Sequence, residues 1–258
     1  MVLVRGHGLG NDYLVLADGP TLSADAVRQL CDRHTGVGSD GLLEPTPGGD
    51  CDYGVRIWNP DGSIAEKSGN GLRIFARWLR DGGAPAQFTI WTGHDAVRCD
   101  VSDTTITIDM GTANFHSPGE ELVGGVQGTV LDVGNPHFVS FSDVPDWHAT
   151  GAMLEVHERF ADRTNVQFAQ IIDRQTVHIR IWERGAGVTS ASGSSSCAAA
   201  AAGVRTGRLD FGRITVTMAG GELFVTVFEN MAVALEGPVE MVGTITVDPR
   251  WLTGHLES

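Results

Sequence analysis

The 258-residue chain is 41% hydrophobic and 19% charged, an ordinary globular composition that excludes disordered, collagen-like and small disulfide-scaffold proteins. Its 18 Lys and Arg stand against 32 Asp and Glu, a formal charge of −14 that repels phosphate backbones and anionic lipid, so neither nucleic acid nor a membrane is an expected partner. No apolar run reaches the roughly 18 residues of a membrane span, and the first residues, Met1 to His7, lack the apolar centre of a signal peptide, so a cytoplasmic protein is expected. Cys31, Cys51, Cys99 and Cys197 are scattered without CxxC spacing and signal neither a zinc site nor a disulfide framework.

Taken in chain order, residues 23–32 read as a helix that Ser23 can cap, and residues 55–58 as a strand. A Gly/Ser loop at 68–71 leads into a helix over 72–80, with Leu72, Ile74, Phe75, Trp78 and Leu79 apolar and Arg73, Arg77 and Arg80 on another side. Strands follow at 88–91 and 105–108, then a Gly/Pro-rich stretch at 114–128, a helix at 149–156 and a strand at 177–181. A second Gly/Ser loop at 192–196 opens a helix over 197–204 whose small residues permit burial on all sides, and strands at 214–217 and 223–227 complete the reading.

These elements repeat. Val55-Arg56-Ile57-Trp58 returns as Ile179-Arg180-Ile181-Trp182, Ser68-Gly69 as Ser192-Gly193, and Gly83 as Gly207, always 124 positions later. Gly10-Asn11-Asp12-Tyr13-Leu14-Val15 keeps the same register with Gly134-Asn135-Pro136-His137-Phe138-Val139. The expected organisation is therefore two similar halves, residues 1–115 and 116–258, with the C-terminal strands completing the first half as an open alternative. Both Gly/Ser loops precede a helix, where unpaired N–H groups and the helix dipole attract an anion. If the halves face one another about a pseudo-two-fold axis, both helix starts converge on one bound group, an arrangement suited to acid/base work on two faces of one carbon.

The strings His7-Gly8-Leu9-Gly10-Asn11-Asp12, Asp32-Arg33-His34-Thr35-Gly36-Val37-Gly38, Asn59-Pro60-Asp61-Gly62-Ser63, Ser68-Gly69-Asn70-Gly71-Leu72-Arg73, Gly134-Asn135-Pro136-His137, Glu158-Arg159-Phe160 and Glu183-Arg184-Gly185-Ala186-Gly187 resemble the diaminopimelate epimerase family, in order and over almost the whole chain. The resemblance implies an α/β (α+β) fold of two pseudo-symmetric halves, each a β-barrel-like sheet wrapped around a central helix. It implies a PLP-independent isomerase that converts LL-2,6-diaminopimelate to the meso form, on the route to lysine and peptidoglycan, and it suggests a homodimer. Carried over residue by residue, it assigns Asn11, Asn59, Asn135, Asn165, Glu183 and Arg184 to the distal, non-reacting end of a small amino-acid substrate. The backbone N–H groups around Gly69, Asn70, Gly193 and Ser194 would hold the reacting carboxylate, stabilising the charge that develops when the α-proton leaves.

In that family a catalytic cysteine opens each loop, whereas this sequence has Ser68 and Ser192. A thiol titrates near 8.5 and is readily tuned to a thiolate; a hydroxyl is a far weaker acid and needs a neighbouring base. His137 and Glu183 match family positions close to the two thiols and are the candidate bases. Gly41 and Val188 also depart from the family pattern, which there often has glutamine and has glutamate respectively. Cys197 lies more than a helical turn beyond Ser192 and reads as a core residue. No P-loop, dinucleotide fingerprint or His-Glu-x-x-His motif is present, and Lys67, the single lysine, has no PLP-like context, so no cofactor and no metal are expected. Beside the epimerase stand two alternatives: another racemase, isomerase or dehydratase of the same superfamily, and an inactive ligand-binding homologue.

Overall fold

A computed structural model describes residues 1–256, with side chains through residue 252. The chain divides into two compact units, residues 1–108 with 238–258, and residues 109–237. In chain order the elements are β1 (Val2–Gly8), β2 (Asn11–Asp18), α1 (Ala24–Cys31), β3 (Leu42–Thr46), β4 (Tyr53–Trp58), β5 (Ile64–Ala65), α2 (Gly69–Asp81), β6 (Gln87–Trp91), β7 (Ala96–Val101) and β8 (Ile106–Thr112). There follow β9 (Asn114–Phe115), β10 (Glu121–Val123), β11 (Val126–Asp132), β12 (Pro136–Ser140), α3 (Trp147–Glu155), β13 (Asn165–Asp173), β14 (Thr176–Glu183), β15 (Gly187–Thr189) and α4 (Gly193–Arg205). The chain ends in β16 (Gly212–Met218), β17 (Gly221–Val227), β18 (Ala232–Gly237), β19 (Glu240–Thr246) and α5 (Pro249–Leu256).

Each unit is a mixed α/β sheet built on the same plan. In the first, β1 pairs antiparallel with β19 and β2, β2 runs parallel to β3 through the α1 crossover, and β4 runs parallel to β6 through α2. In the second, β12 runs parallel to β13 through α3, and β14 to β16 through α4. The register agrees residue for residue at one crossover: Leu14 faces Leu42 in the first unit, and Phe138 faces Val166, each 124 positions on, in the second. The two long helices coincide as well, each 13 residues long and starting at positions 69 and 193. The repeat read in the sequence is thus a repeat of structure.

Caps place these helices. Ser23 accepts the Ala26 N–H and starts α1; Asp146 accepts the Ala149 N–H and starts α3 two residues before the expected position. The central helices solve burial differently. α2 packs against β1, β2, β3, β7 and β19, buries residues 69–76, and pairs the largely covered Arg77 with the exposed Asp81 at i,i+4. α4 packs against β11 to β14 and β16 to β18, and Cys197 to Ala202 are wholly inaccessible. Methyl-sized side chains are what let so many strands approach one helix.

That fit leaves no room for growth, because close-packed interiors respond to added methylenes with off-rotamer side chains and backbone shifts. Ala200→Leu should lower stability by about 1–3 kcal/mol, read as a drop in the urea midpoint at unchanged slope.

Candidate active site

The two serines that open the Gly/Ser loops occupy equivalent places. Ser68 sits at φ −138°, ψ 116° and Ser192 at φ −148°, ψ 124°, extended conformations that let each hydroxyl fold back over its helix start. Ser68 Oγ accepts the Gly71 N–H at 3.1 Å, and its carbonyl accepts the Leu72 N–H at 2.9 Å. Ser192 Oγ accepts the Ser195 N–H at 3.4 Å, and its carbonyl accepts the Ser196 N–H at 3.1 Å. Among the described residues this leaves the N–H groups of Gly69 and Asn70, and of Gly193 and Ser194, as donors at the positive ends of the helices. These are the four positions the sequence singled out for a carboxylate.

In the first unit, Asn11 and Asn70 belong to one polar lattice. Asn70 Nδ2 donates to Asn11 Oδ1 at 2.9 Å, Asn11 Nδ2 donates to Asp40 at 2.9 Å, and the buried Arg73 donates to Asn70 Oδ1 at 2.8 Å. Arg33 joins Asp40 to Asp12, each at 2.7 Å, and Arg5 also pairs with Asp12. Burial pushes the Asp12 carboxyl up, but hydrogen bonds and charge from Arg33 and Arg5 outweigh it and hold Asp12 below the usual carboxylate range. Asn59 lies in the turn after β4, where its amide donates to Ser63 Oγ at 2.9 Å.

Tyr13 was not singled out from the sequence as a site residue. Its phenol lies 2.9 Å from Ser68 Oγ, with either oxygen able to donate, and the residue is only 7% exposed. Glycine at 41 makes this placement feasible: a Cβ there would sit 2.5 Å from Tyr13 Cε1 and 2.6 Å from the Trp58 carbonyl oxygen.

In the second unit, Asn165 is 3% exposed and ties two segments together, donating to the Pro136 carbonyl at 2.9 Å and accepting the Arg184 N–H at 3.0 Å. The exposed Arg184 side chain donates to the Asp162 carbonyl at 3.1 Å. Glu183 is half-buried at the end of β14, and its carbonyl accepts the Ala186 N–H. Glu155 fixes the turn that follows. Its carboxylate accepts the Gly185 N–H at 2.8 Å and the Trp182 indole at 2.7 Å; with Arg163, these contacts overcome burial and hold it below its usual range.

His137, a candidate base, is completely buried. Its Nε2 lies 2.8 Å from Asn135 Oδ1, and no hydrogen bond joins it to Ser192, the serine of its own unit. Burial pushes the imidazole down to about 3, further than the neighbouring Gln167 amide can raise it, and Arg184 adds to the depression. His137 Nδ1 and Gln167 Oε1 make no hydrogen bond of good geometry, whereas Gln167 Nε2 donates to Ser195 Oγ at 3.0 Å. The ring is therefore held neutral inside a polar layer beneath the start of α4. Three of the four thiols are unsuited to take over from the serines: burial raises Cys31 above its usual value and Cys99 to about 12, and Cys197 is inaccessible on α4. Among the described residues no group of three or more His, Cys, Asp or Glu side chains is disposed to hold a metal ion, and no helix is long and apolar enough to cross a membrane.

The buried imidazole has a measurable consequence. The unfolded ring takes up a proton near 6.5 and the folded ring only near 3, so between these values the unfolded state binds the extra proton and stability falls as the pH is lowered. His137→Gln, which does not titrate, should flatten the fall in urea midpoint of the parent protein across that window. The His137 ring resonances should remain those of a neutral imidazole at about pH 5; a protonated ring there would contradict the assignment.

Comparison with known proteins agrees with the duplicated plan. The family model described as diaminopimelate epimerase matches residues 3–116 and again 129–242. Diaminopimelate epimerase 2 of Nostoc sp. is 37% identical, with 93% of each chain covered, and diaminopimelate epimerase of Desulforudis audaxviator is 36% identical over 98% of this chain and 99% of that one. Among solved structures, a phenazine biosynthesis protein of Bacillus anthracis superposes with a TM-score of 0.75 at 14% identity, covering 96% of this chain and 99% of that one. A hydroxyproline epimerase from Agrobacterium vitis, solved with bound trans-4-hydroxy-L-proline, does so with a TM-score of 0.70 at 16% identity, covering 99% and 94%. Those two share the fold. Repeated twice along its length and matched end to end by relatives of the same name, the chain belongs to the diaminopimelate epimerase family.

Proposed function

We propose that this protein is a cofactor-independent epimerase acting at the α-carbon of LL-2,6-diaminopimelate, or of a close amino-acid analogue, by two-sided proton transfer. The observation that carries the reading is the pair of serine-capped helix starts, closely alike in conformation and cap, within a member of this family. The free N–H groups of Gly69, Asn70, Gly193 and Ser194 take the reacting carboxylate. Preorganised donors of this kind are strongest where charge builds up, and deprotonation at the α-carbon puts charge on that carboxylate. Ser68 and Ser192 exchange the α-proton from its two faces. Asn11, Asn59, Asn135, Asn165, Glu183 and Arg184 shape the subsite for the distal amino-acid end.

The lattice around Asn11 and Asn165 refines this assignment. Both amides already bridge protein groups, so their contribution is to set the shape and donor pattern of the subsite in advance, which lowers the ordering cost of binding. A second reading, a ligand-binding homologue without turnover, is favoured by one observation, the absence of thiols at 68 and 192.

Incubation with LL- or meso-diaminopimelate in D₂O, followed by NMR, separates these readings. Loss of the α-proton signal with epimerisation is the expected result. Ser68→Ala and Ser192→Ala should each lower the rate by about 100-fold or more, the usual worth of a positioned acid/base group. Binding without exchange would identify the ligand-binding homologue, and neither binding nor exchange would exclude this substrate. Restoring thiols together, Ser68→Cys with Ser192→Cys, should raise the rate sharply, because a thiol ionises far more readily than a hydroxyl.

A further inference from the structure

The two halves of the duplication treat their serines differently, and the difference lies at one pair of matched positions. Tyr13 and His137 are equivalents, 124 residues apart, each the third residue after the glycine of its Gly-Asn turn. In the second unit the ring is sealed in the core, bonded to Asn135 and kept neutral, without a hydrogen bond to the serine of its own unit. In the first unit the phenol oxygen lies 2.9 Å from Ser68 Oγ.

A buried phenol needs a hydrogen-bond partner in any setting. One partner here is the oxygen that caps α2, which already accepts the Gly71 N–H, so the hydroxyl of Ser68 is held between a backbone donor and a titratable group. The ring can approach so closely only because residue 41 has no Cβ. We propose that Tyr13 is the proton-relay partner of Ser68, a positioning residue that acts on the substrate through the serine hydroxyl. This inference rests on the epimerase reading above.

The step balances within the chain. When the α-proton leaves toward Ser68, the Cα–H bond breaks and an O–H bond forms at Ser68 Oγ. In this direction Tyr13 starts as the phenolate left by a preceding turnover in the opposite sense: the proton already on Ser68 passes to its oxygen, and the electron pair stays on the substrate, spread into its carboxylate. When the proton is returned from this side, Ser68 delivers it to the α-carbon and recovers one from the Tyr13 phenol, leaving the phenolate. A phenol ordinarily titrates near 10 and an aliphatic hydroxyl is a much weaker acid, so the relay places the negative charge on the oxygen that carries it more easily.

The chain has two tyrosines, Tyr13 and Tyr53, so both are resolvable by ¹³Cζ-tyrosine NMR and assignable with Tyr53→Phe. Without any substrate, Ser68→Ala should move the Tyr13 resonance and leave that of Tyr53 in place; an indifferent Tyr13 resonance overturns the relay whatever the substrate. In the exchange assay, Tyr13→Phe keeps the ring and should lower kcat by about 10- to 100-fold with KM changed by less than about twofold. In the Ser68→Cys background the same change should have little effect, because a thiolate holds its own charge. Equal losses in both backgrounds would mark Tyr13 as merely structural, and full activity of Tyr13→Phe in the Ser68 protein would overturn the relay while the epimerase reading stands. A parent protein that leaves diaminopimelate unchanged would instead overturn the epimerase reading, and the relay for that substrate with it.

Discussion

A helix enclosed by strands cannot hand its first N–H groups to water, and the site depends on how each unit meets that constraint. One hydroxyl at the cap satisfies one donor, the following carbonyl begins the helical ladder, and two further N–H groups stay directed at the space before the helix. Their number and direction follow from helix geometry alone. The surrounding strands supply low-dielectric walls: Leu14 and Leu43 in the first unit and Phe138 and Val166 in the second are wholly buried. Fixed dipoles in such surroundings act far more strongly than they would in water.

On this shared frame the polar chemistry has diverged. Trp58 and Trp182 are repeat equivalents, and both indoles donate to a buried carboxylate, yet Glu44 comes from β3 and Glu155 from α3. Beneath α2 lies a lattice of amides and guanidinium groups running from Arg73 through Asn70 and Asn11 to Asp40. Beneath α4 the matching layer is neutral, formed by Asn135, His137, Gln167 and Ser195. A charged lattice on one side and a neutral one on the other give the two serines unequal electrostatic surroundings, although their backbones are nearly superimposable.

How much could be read beforehand varied with the range of the interaction. α1 and α4 were legible because a Ser stands before a run of suitable spacing, and β14, β16 and β17 because they alternate cleanly. The hairpin of β1 and β2 was not. Its two-residue turn places Leu9 at φ 54° beside Gly10 at φ 88°, and a bulky residue in the left-handed region is held there by tertiary pairing that no local pattern advertises. Asn11 and Asn165 could be named as amides, but not that both atoms of each are already engaged. The bond from Tyr13 to Ser68 spans 55 positions, and its one sequence signal was the alignment of Tyr13 with His137 in the repeat.

By itself the sequence determined the duplication, the mixed α/β class, the serine caps and the family, because each is written in local spacing: a repeated interval, strand alternation, a hydroxyl before a helix. Only the tertiary structure decided that His137 is a sealed neutral ring and that Tyr13 reaches the Ser68 hydroxyl. Burial and hydrogen-bond partnership are properties of neighbours brought together by folding, and residues far apart in the chain carry no record of which of them will meet.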